Sequence, residues 1–253
     1  MCKVKKLLNR YTSYISVLSV LILWQLAGFF SLLPKFIFPT PFEIIRAFIR
    51  DINLLIFHSK ITLIETAIGL SLGIIIASIL AILMDRYKIV YKTIYPLLIL
   101  TQTVPTIAIA PILILWLGYD MTPKIVLIVL TTTFPIIISI LDGFKHCDED
   151  QIRLLKLMNA NDFQILKHLK FPTSLGYFFA GLRVSVSYAF ITAVVAEWLG
   201  GFEGLGVYMT RVKKAFEYDS MFAVIFLVSM ISLLNIEIVK IIEKKVLKWK
   251  YIQ

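Results

Sequence analysis

Six runs of about twenty apolar residues leave this chain of 253 residues few places to fold except across a lipid bilayer. They fall at 14–33, 62–83, 94–117, 124–141, 175–195 and 222–242. A helix of that length crosses a hydrocarbon core of about 30 Å. Hydrophobic residues make up 59% of the chain and charged residues 17%, with a mean hydropathy of +0.86. A soluble domain carries about 45–50% apolar and roughly 25% charged residues. The expectation is an all-α, polytopic membrane protein of about six transmembrane helices, with residues 1–253 as a single transmembrane domain.

Charge orients these spans. The net charge of +10 is spread over every polar interval, which excludes the concentrated basic patch of a nucleic-acid binder and reads instead as Lys and Arg beside membrane ends. The chain opens MCKVKKLLNR, with four positive charges and no acid. The apolar run that follows is longer than the ~7–15 residue core of a secretory signal and has no small-residue cleavage site after Leu33, so it reads as an uncleaved span. With the N-terminus inside, sixteen of the 26 Lys and Arg fall in cytoplasmic segments and eight in outer ones, Lys124 among the latter. That ratio places both termini in the cytoplasm. Gly69 and Gly73 in the second span form a small-xxx-small pattern that admits a neighbouring helix closely.

The longest polar interval, residues 147–172, lies on the same side. Ile152, Leu155, Leu157, Ile165, Leu166 and Leu169 recur at roughly helical spacing among Arg153, Lys156, Lys167, His168 and Lys170. Asn159, Ala160, Asn161 and Asp162 interrupt the pattern, and Pro172 cannot donate to a continuing helix. The spacing predicts helix, turn, helix, ended at Pro172. Its apolar face has no cover within the segment, so the hairpin is expected to dock on a cytoplasmic partner.

Here the residues carry a resemblance. The hairpin resembles the coupling loop of ABC-importer permeases, which reads Glu-Ala-Ala, three residues, Gly, nine residues, Ile, any residue, Leu, Pro. Asn159 stands at the glycine, Leu169 at the isoleucine, Phe171 at the leucine and Pro172 at the proline. Arg153, Leu154 and Leu155 depart from Glu-Ala-Ala. Asn suits the glycine position because it also visits the left-handed conformation. TVPTIAIAPILILWLG, residues 103–118, and AEWLGGFEGLGVYMTRVKKAFEYDSMFA, residues 196–223, resemble the sulfonate, nitrate and thiamine-precursor group, most of all its pyrimidine-precursor branch.

The resemblance implies a type I ABC-importer permease fold and a division of labour. Two copies of the chain, as a homodimer in a bacterial inner membrane, would form the pathway. Two ATPase subunits, holding ATP and magnesium, would bind the cytoplasmic loops, and an extracytoplasmic binding protein would deliver the substrate. Candidate coupling residues are Leu155, Leu157, Asn159, Ala160, Leu166, Leu169 and Pro172. Candidate pathway residues are Thr101, Gln102, Thr103, Pro105, Thr106, Pro111, Glu197, Trp198, Gly204 and Gly206. Polar groups at the depth of Thr101 to Thr106 need partners or water, so they either line a pore or bond between helices. Glu197 either sits at the outer interface or belongs to a gate. The glycines from Gly200 to Gly206 follow no strand and are expected to shape a re-entrant turn rather than to bind phosphate.

No cofactor is expected in this chain. It has no G-x-x-x-x-G-K-[ST] loop and no Gly-Lys pair, so ATP must be hydrolysed elsewhere. The spans hold no paired carboxylates, Ser–Lys or Ser–His set, or His-Glu-x-x-His motif of a membrane enzyme. No internal repeat marks a carrier driven by ion gradients alone. Cys2 and Cys147 frame no disulfide or metal site, and His58, His146 and His168 share no ligand spacing, so all three are expected at interfaces. Neutral hydrogen-bonding groups between apolar walls suit a hydroxymethyl- or aminomethyl-pyrimidine, with riboflavin, sulfonates and nitrate as alternatives.

Overall fold

The computed structural model describes residues 2–30 and 37–248. The expected end of the first span at 31–33, together with Lys35 and Lys250 of the charge count, lies outside the described residues. The described residues are almost all helical: α1 Cys2–Phe29, α2 Pro41–Arg50, α3 Ile52–Arg86, α4 Lys88–Thr103, α5 Thr106–Leu117, α6 Met121–Lys145 and α7 Glu149–Leu157. Then come α8 Asp162–Gly200, α9 Leu205–Lys214 and α10 Tyr218–Val246. Helices α3, α6, α8 and α10 are each long and apolar enough to cross a membrane. Helices α4 and α5 are bent by 102° at the break between them and are apolar enough to enter a membrane only as a pair, as a broken span or a re-entrant loop, and α1 is apolar over Leu18–Phe29. The chain divides into two compact units, residues 1–57 with 208–227 and residues 58–207 with 228–253.

In the first unit, α2 starts where its sequence dictates. Thr40 accepts from the Glu43 amide, Glu43 reaches back to the Thr40 amide at 2.7 Å, and Pro41 fills the first turn, where no amide is needed. Ile44 and Ala47 turn inward while Phe42, Ile45 and Ile49 stay exposed. Trp24 of α1 packs against Phe38, Phe222 and Phe226 with ring centroids 5.5, 6.1 and 6.0 Å away. At the end of α2, Arg50 donates to Ser220 Oγ at 2.6 Å, and Ser220 donates to Asp51 Oδ2 at 2.6 Å. Burial opposes ionisation of Asp51. Hydrogen bonds from Arg50, Ser220 and Tyr208 outweigh it and hold the carboxyl below its ordinary range. Helix α2 ends at Arg50, and α3 takes over from Ile52.

The second unit is built around α6 and α8, which pack along most of their length. Small residues set the spacing. A Cβ at Gly181 would lie 2.6 Å from Ser139 Oγ, and one at Gly143 would lie 2.7 Å from the Ser174 backbone. Gly69 and Gly73 of α3 meet Ile128 and Thr132 of α6 in the same way, as the small-xxx-small pattern predicts. Ala77, Ile136, Ile137, Val186 and Phe190 form the buried core between these helices. Arg183 of α8 pairs with Glu243 of α10, which supplies the counter-charge an intramembrane arginine needs.

The expected helix end at Pro172 is corrected: α8 runs on through it as 39 continuous residues. Residues Leu166–Lys170 widen into a π-turn, with the Phe171 amide donating to the Leu166 carbonyl. The wider turn makes room for a ring that would otherwise meet the carbonyl four residues back.

Candidate functional site

The hairpin of α7 and the start of α8 is fixed by local chemistry. Asp148 caps α7 by accepting from the Asp150 amide. At the other end the Ala160 amide donates to the Leu155 carbonyl at 2.9 Å and the Asn159 amide to the Lys156 carbonyl at 3.0 Å. Those two bonds close a Schellman motif around Asn159, whose φ is +59°. Asn161 and Gln164 then cap α8 reciprocally, each amide 2.8 Å from the other's side-chain oxygen. Two ion pairs tie the hairpin to the end of α3: Lys170 to Asp85 at 2.7 Å and Arg86 to Asp162 at 2.9 Å. Between them lies a cleft of about 520 Å³ lined by Asp85, Arg86, Ile152, Lys156, Phe163 and Lys170. Ile165 is buried, whereas Leu157 is 82% exposed, with Leu154, Met158 and Phe163 exposed beside it. An amphipathic hairpin is thus tied at its base to α3 and presents bare apolar side chains at its tip.

At the opposite end of α8 lies a buried polar cluster. Lys124, at the start of α6, donates to Glu65 of α3 at 2.6 Å, and both side chains are almost wholly enclosed. Thr62, one turn earlier on α3, donates to Glu197 Oε1 at 2.7 Å and accepts from the Leu205 amide at 3.0 Å. Glu197 Oε2 accepts from the Gly206 amide at 2.6 Å, and His58 Nδ1 accepts from the Gly204 amide at 3.1 Å. Lys124 also reaches the Glu203 carbonyl at 3.5 Å. Gly204 is required here, since its φ is +125° and a Cβ would run into the Glu197 carboxyl. The glycine-rich segment therefore folds back onto the helices it follows.

Sequence comparison sets this geometry in a family. The description "binding-protein-dependent transport system inner membrane component" matches residues 69–248. The chain belongs to that family. It is an ABC transporter permease, a multi-pass transport subunit of the inner membrane and not an enzyme. The permease is 36% identical over 234 residues to the formylaminopyrimidine transport permease protein ThiX of Halalkalibacterium halodurans, covering 92% of this chain and 93% of that one. It is 36% identical over 214 residues to a probable ABC transporter permease of Haemophilus influenzae, covering 85% and 87%. Identity to the putative aliphatic sulfonates permease SsuC of Bacillus subtilis is 28%, covering 91% and 84%. Among solved structures, a chain of the inward-facing MetNI methionine ABC transporter superposes with a TM-score of 0.65, covering 78% of the permease and 96% of that chain at 15% identity.

The permease holds its sequence-predicted residues in two places and at one bend. Of the hairpin residues, Leu157 and Asn159 are exposed, and Leu155, Ala160, Leu166, Leu169 and Pro172 are half-buried, with Leu166 packed on the core. Thr101, Gln102, Thr103, Pro105 and Thr106 surround the bend between α4 and α5, and Pro111 is exposed within α5. The Thr101 and Thr103 hydroxyls bond back to the Leu98 and Leu100 carbonyls of their own helix, at 2.7 and 2.9 Å. Glu197, Gly204 and Gly206 are gathered in the buried cluster, while Trp198 points outward. Lys124, counted with the outer charges, is half of a buried pair, and His58, expected at an interface, is enclosed. Glu65 went unsingled because one acid in an apolar run shows no partner until α3 and α6 are packed together. Among the described residues no His, Cys, Asp and Glu group is arranged to hold a metal ion.

Proposed function

We propose that this permease imports a small pyrimidine precursor of thiamine, of the formylamino-, hydroxymethyl- or aminomethyl-pyrimidine type. The observation that carries this reading is the 36% identity to the formylaminopyrimidine permease along 92% of the chain, against 28% for the sulfonate relative and 27% for a riboflavin permease of Chloroflexus aurantiacus. The uncharged groups at the bend between α4 and α5, with apolar walls around them, suit a neutral heteroaromatic better than an anion. In this reading two copies of the chain form the pathway, and a binding protein outside the cell delivers the pyrimidine. Two ATPase subunits, carrying ATP and magnesium, dock on the hairpins, and both termini are cytoplasmic. Exposed Leu157, with Leu154 and Met158, enters an apolar groove of the ATPase.

The test is growth of a strain that cannot make the pyrimidine, has no second importer and receives the compound at limiting concentration. Growth that depends on this permease is expected. Equal growth with and without it removes the pyrimidine and leaves the family.

A further inference from the structure

Helix α8 joins the two sites described above, beginning in the hairpin at Asp162 and ending at Gly200 beside the buried cluster. Helix α3 accompanies it and is tied to it at both ends. Near the hairpin the ties are Asp85–Lys170 and Arg86–Asp162. Far from it the tie is the Thr62 hydroxyl on the Glu197 carboxylate. The far end grips one segment from several directions. Thr62 takes the Leu205 amide, Glu197 the Gly206 amide, His58 the Gly204 amide, and Lys124 the Glu203 carbonyl. Thr62 is 1% exposed and occupies the centre of this network, donating one bond and accepting another. Packing alone needs none of this, because a buried ion pair and a buried carboxyl group are costly ways to hold apolar helices together.

We propose that Thr62, with the Glu65–Lys124 pair, positions the Gly201–Gly206 segment so that α3 and α8 carry movement of the hairpin to it as one body. These are positioning residues for coupling, acting through the segment and not on the substrate. The inference rests on the permease reading of the hairpin, and it assigns the opposite end of the same two helices.

The experiment uses the complete transporter, with ATPase and binding protein, reconstituted in liposomes. ATP hydrolysis is measured with and without pyrimidine-loaded binding protein, alongside uptake, each per assembled complex. Thr62→Val keeps the shape of the side chain and removes its hydroxyl, and Thr62→Ser keeps the hydroxyl and removes the methyl. Thr62→Val is expected to assemble with the ATPase and hydrolyse ATP at the unsubstituted basal rate. Stimulation by the loaded binding protein and uptake should fall roughly tenfold, the effect of losing one or two buried hydrogen bonds. Thr62→Ser should restore both. The double variant Glu65→Gln with Lys124→Met, which removes the ion pair without stranding a charge, should reproduce the Thr62→Val loss.

Uptake at the unsubstituted level in Thr62→Val overturns the inference, and so does an equal loss in Thr62→Ser, since shape would then matter rather than the hydroxyl. Failure of the hairpin reading is seen separately, as unimpaired ATPase binding and uptake in Leu157→Asp.

Discussion

Asn159 shows how one residue can satisfy a pattern it does not match letter for letter. The importer loop has glycine there because the chain must turn left-handed, and Asn159 does so with φ +59° while its amide and that of Ala160 close the end of α7. Asn159→Gly should leave hairpin stability within a few tenths of a kcal/mol. Asn159→Val should cost about 1–2 kcal/mol, because a β-branched side chain is strained in that conformation. Thermal unfolding of the purified transporter would show a lowered transition for Val only. Asp51 carries a second prediction at this scale. Its carboxyl is held below its ordinary range, so its contribution to stability is complete above the unfolded value of about 3.9 and is lost as pH falls through the lower folded value. Asp51→Asn should therefore be less stable than the unsubstituted protein at neutral pH, with the difference shrinking below about pH 4. A constant difference from neutral to acid pH would contradict the assignment.

Among the elements, those with strong local signals were readable in the sequence, and those made by packing were not. Apolar runs identified α3, α6, α8 and α10, and apolar residues at roughly helical spacing identified the hairpin. The end expected at Pro172 was not found, because proline rules describe an ordinary α-turn and Leu166–Lys170 is a π-turn. The third run was legible as apolar, but the break at Pro105 and the 102° angle between α4 and α5 have no sequence signal of that size. Glycines 69 and 73 announced a close helix neighbour, though not that it would be α6. The cluster of Glu65, Lys124 and Glu197 was least legible of all, since its members lie 59 and 73 residues apart in the sequence and only the packing of α3, α6 and α8 brings them together. Glu197 stood out in the sequence as an ionisable group at the end of a span. Glu65 did not, and Lys124 entered only as one of the outer charges.

At the scale of the whole molecule, the permease gathers its candidate functional elements at the two ends of the same pair of long helices. The hairpin lies at one end, anchored by Asp85–Lys170 and Arg86–Asp162, and the glycine segment lies at the other, anchored by Thr62 and Glu197. Under the proposed function the energy comes from a separate ATPase, in keeping with a sequence that carries no G-x-x-x-x-G-K-[ST] loop. The account therefore depends on the hairpin's exposed tip being the ATPase docking element. Leu157 is 82% exposed and makes no packing contribution that its loss would disturb, so Leu157→Asp should leave the permease folded and inserted. An aspartate pressed into an apolar groove without a partner would cost several kcal/mol, enough to dissolve the contact. The decisive measurement is co-purification of the ATPase with Leu157→Asp, together with ATP-dependent uptake by the same membranes. The account predicts an inserted permease that retains little ATPase and transports at background. ATPase recovery and uptake equal to those of the unsubstituted protein would contradict it.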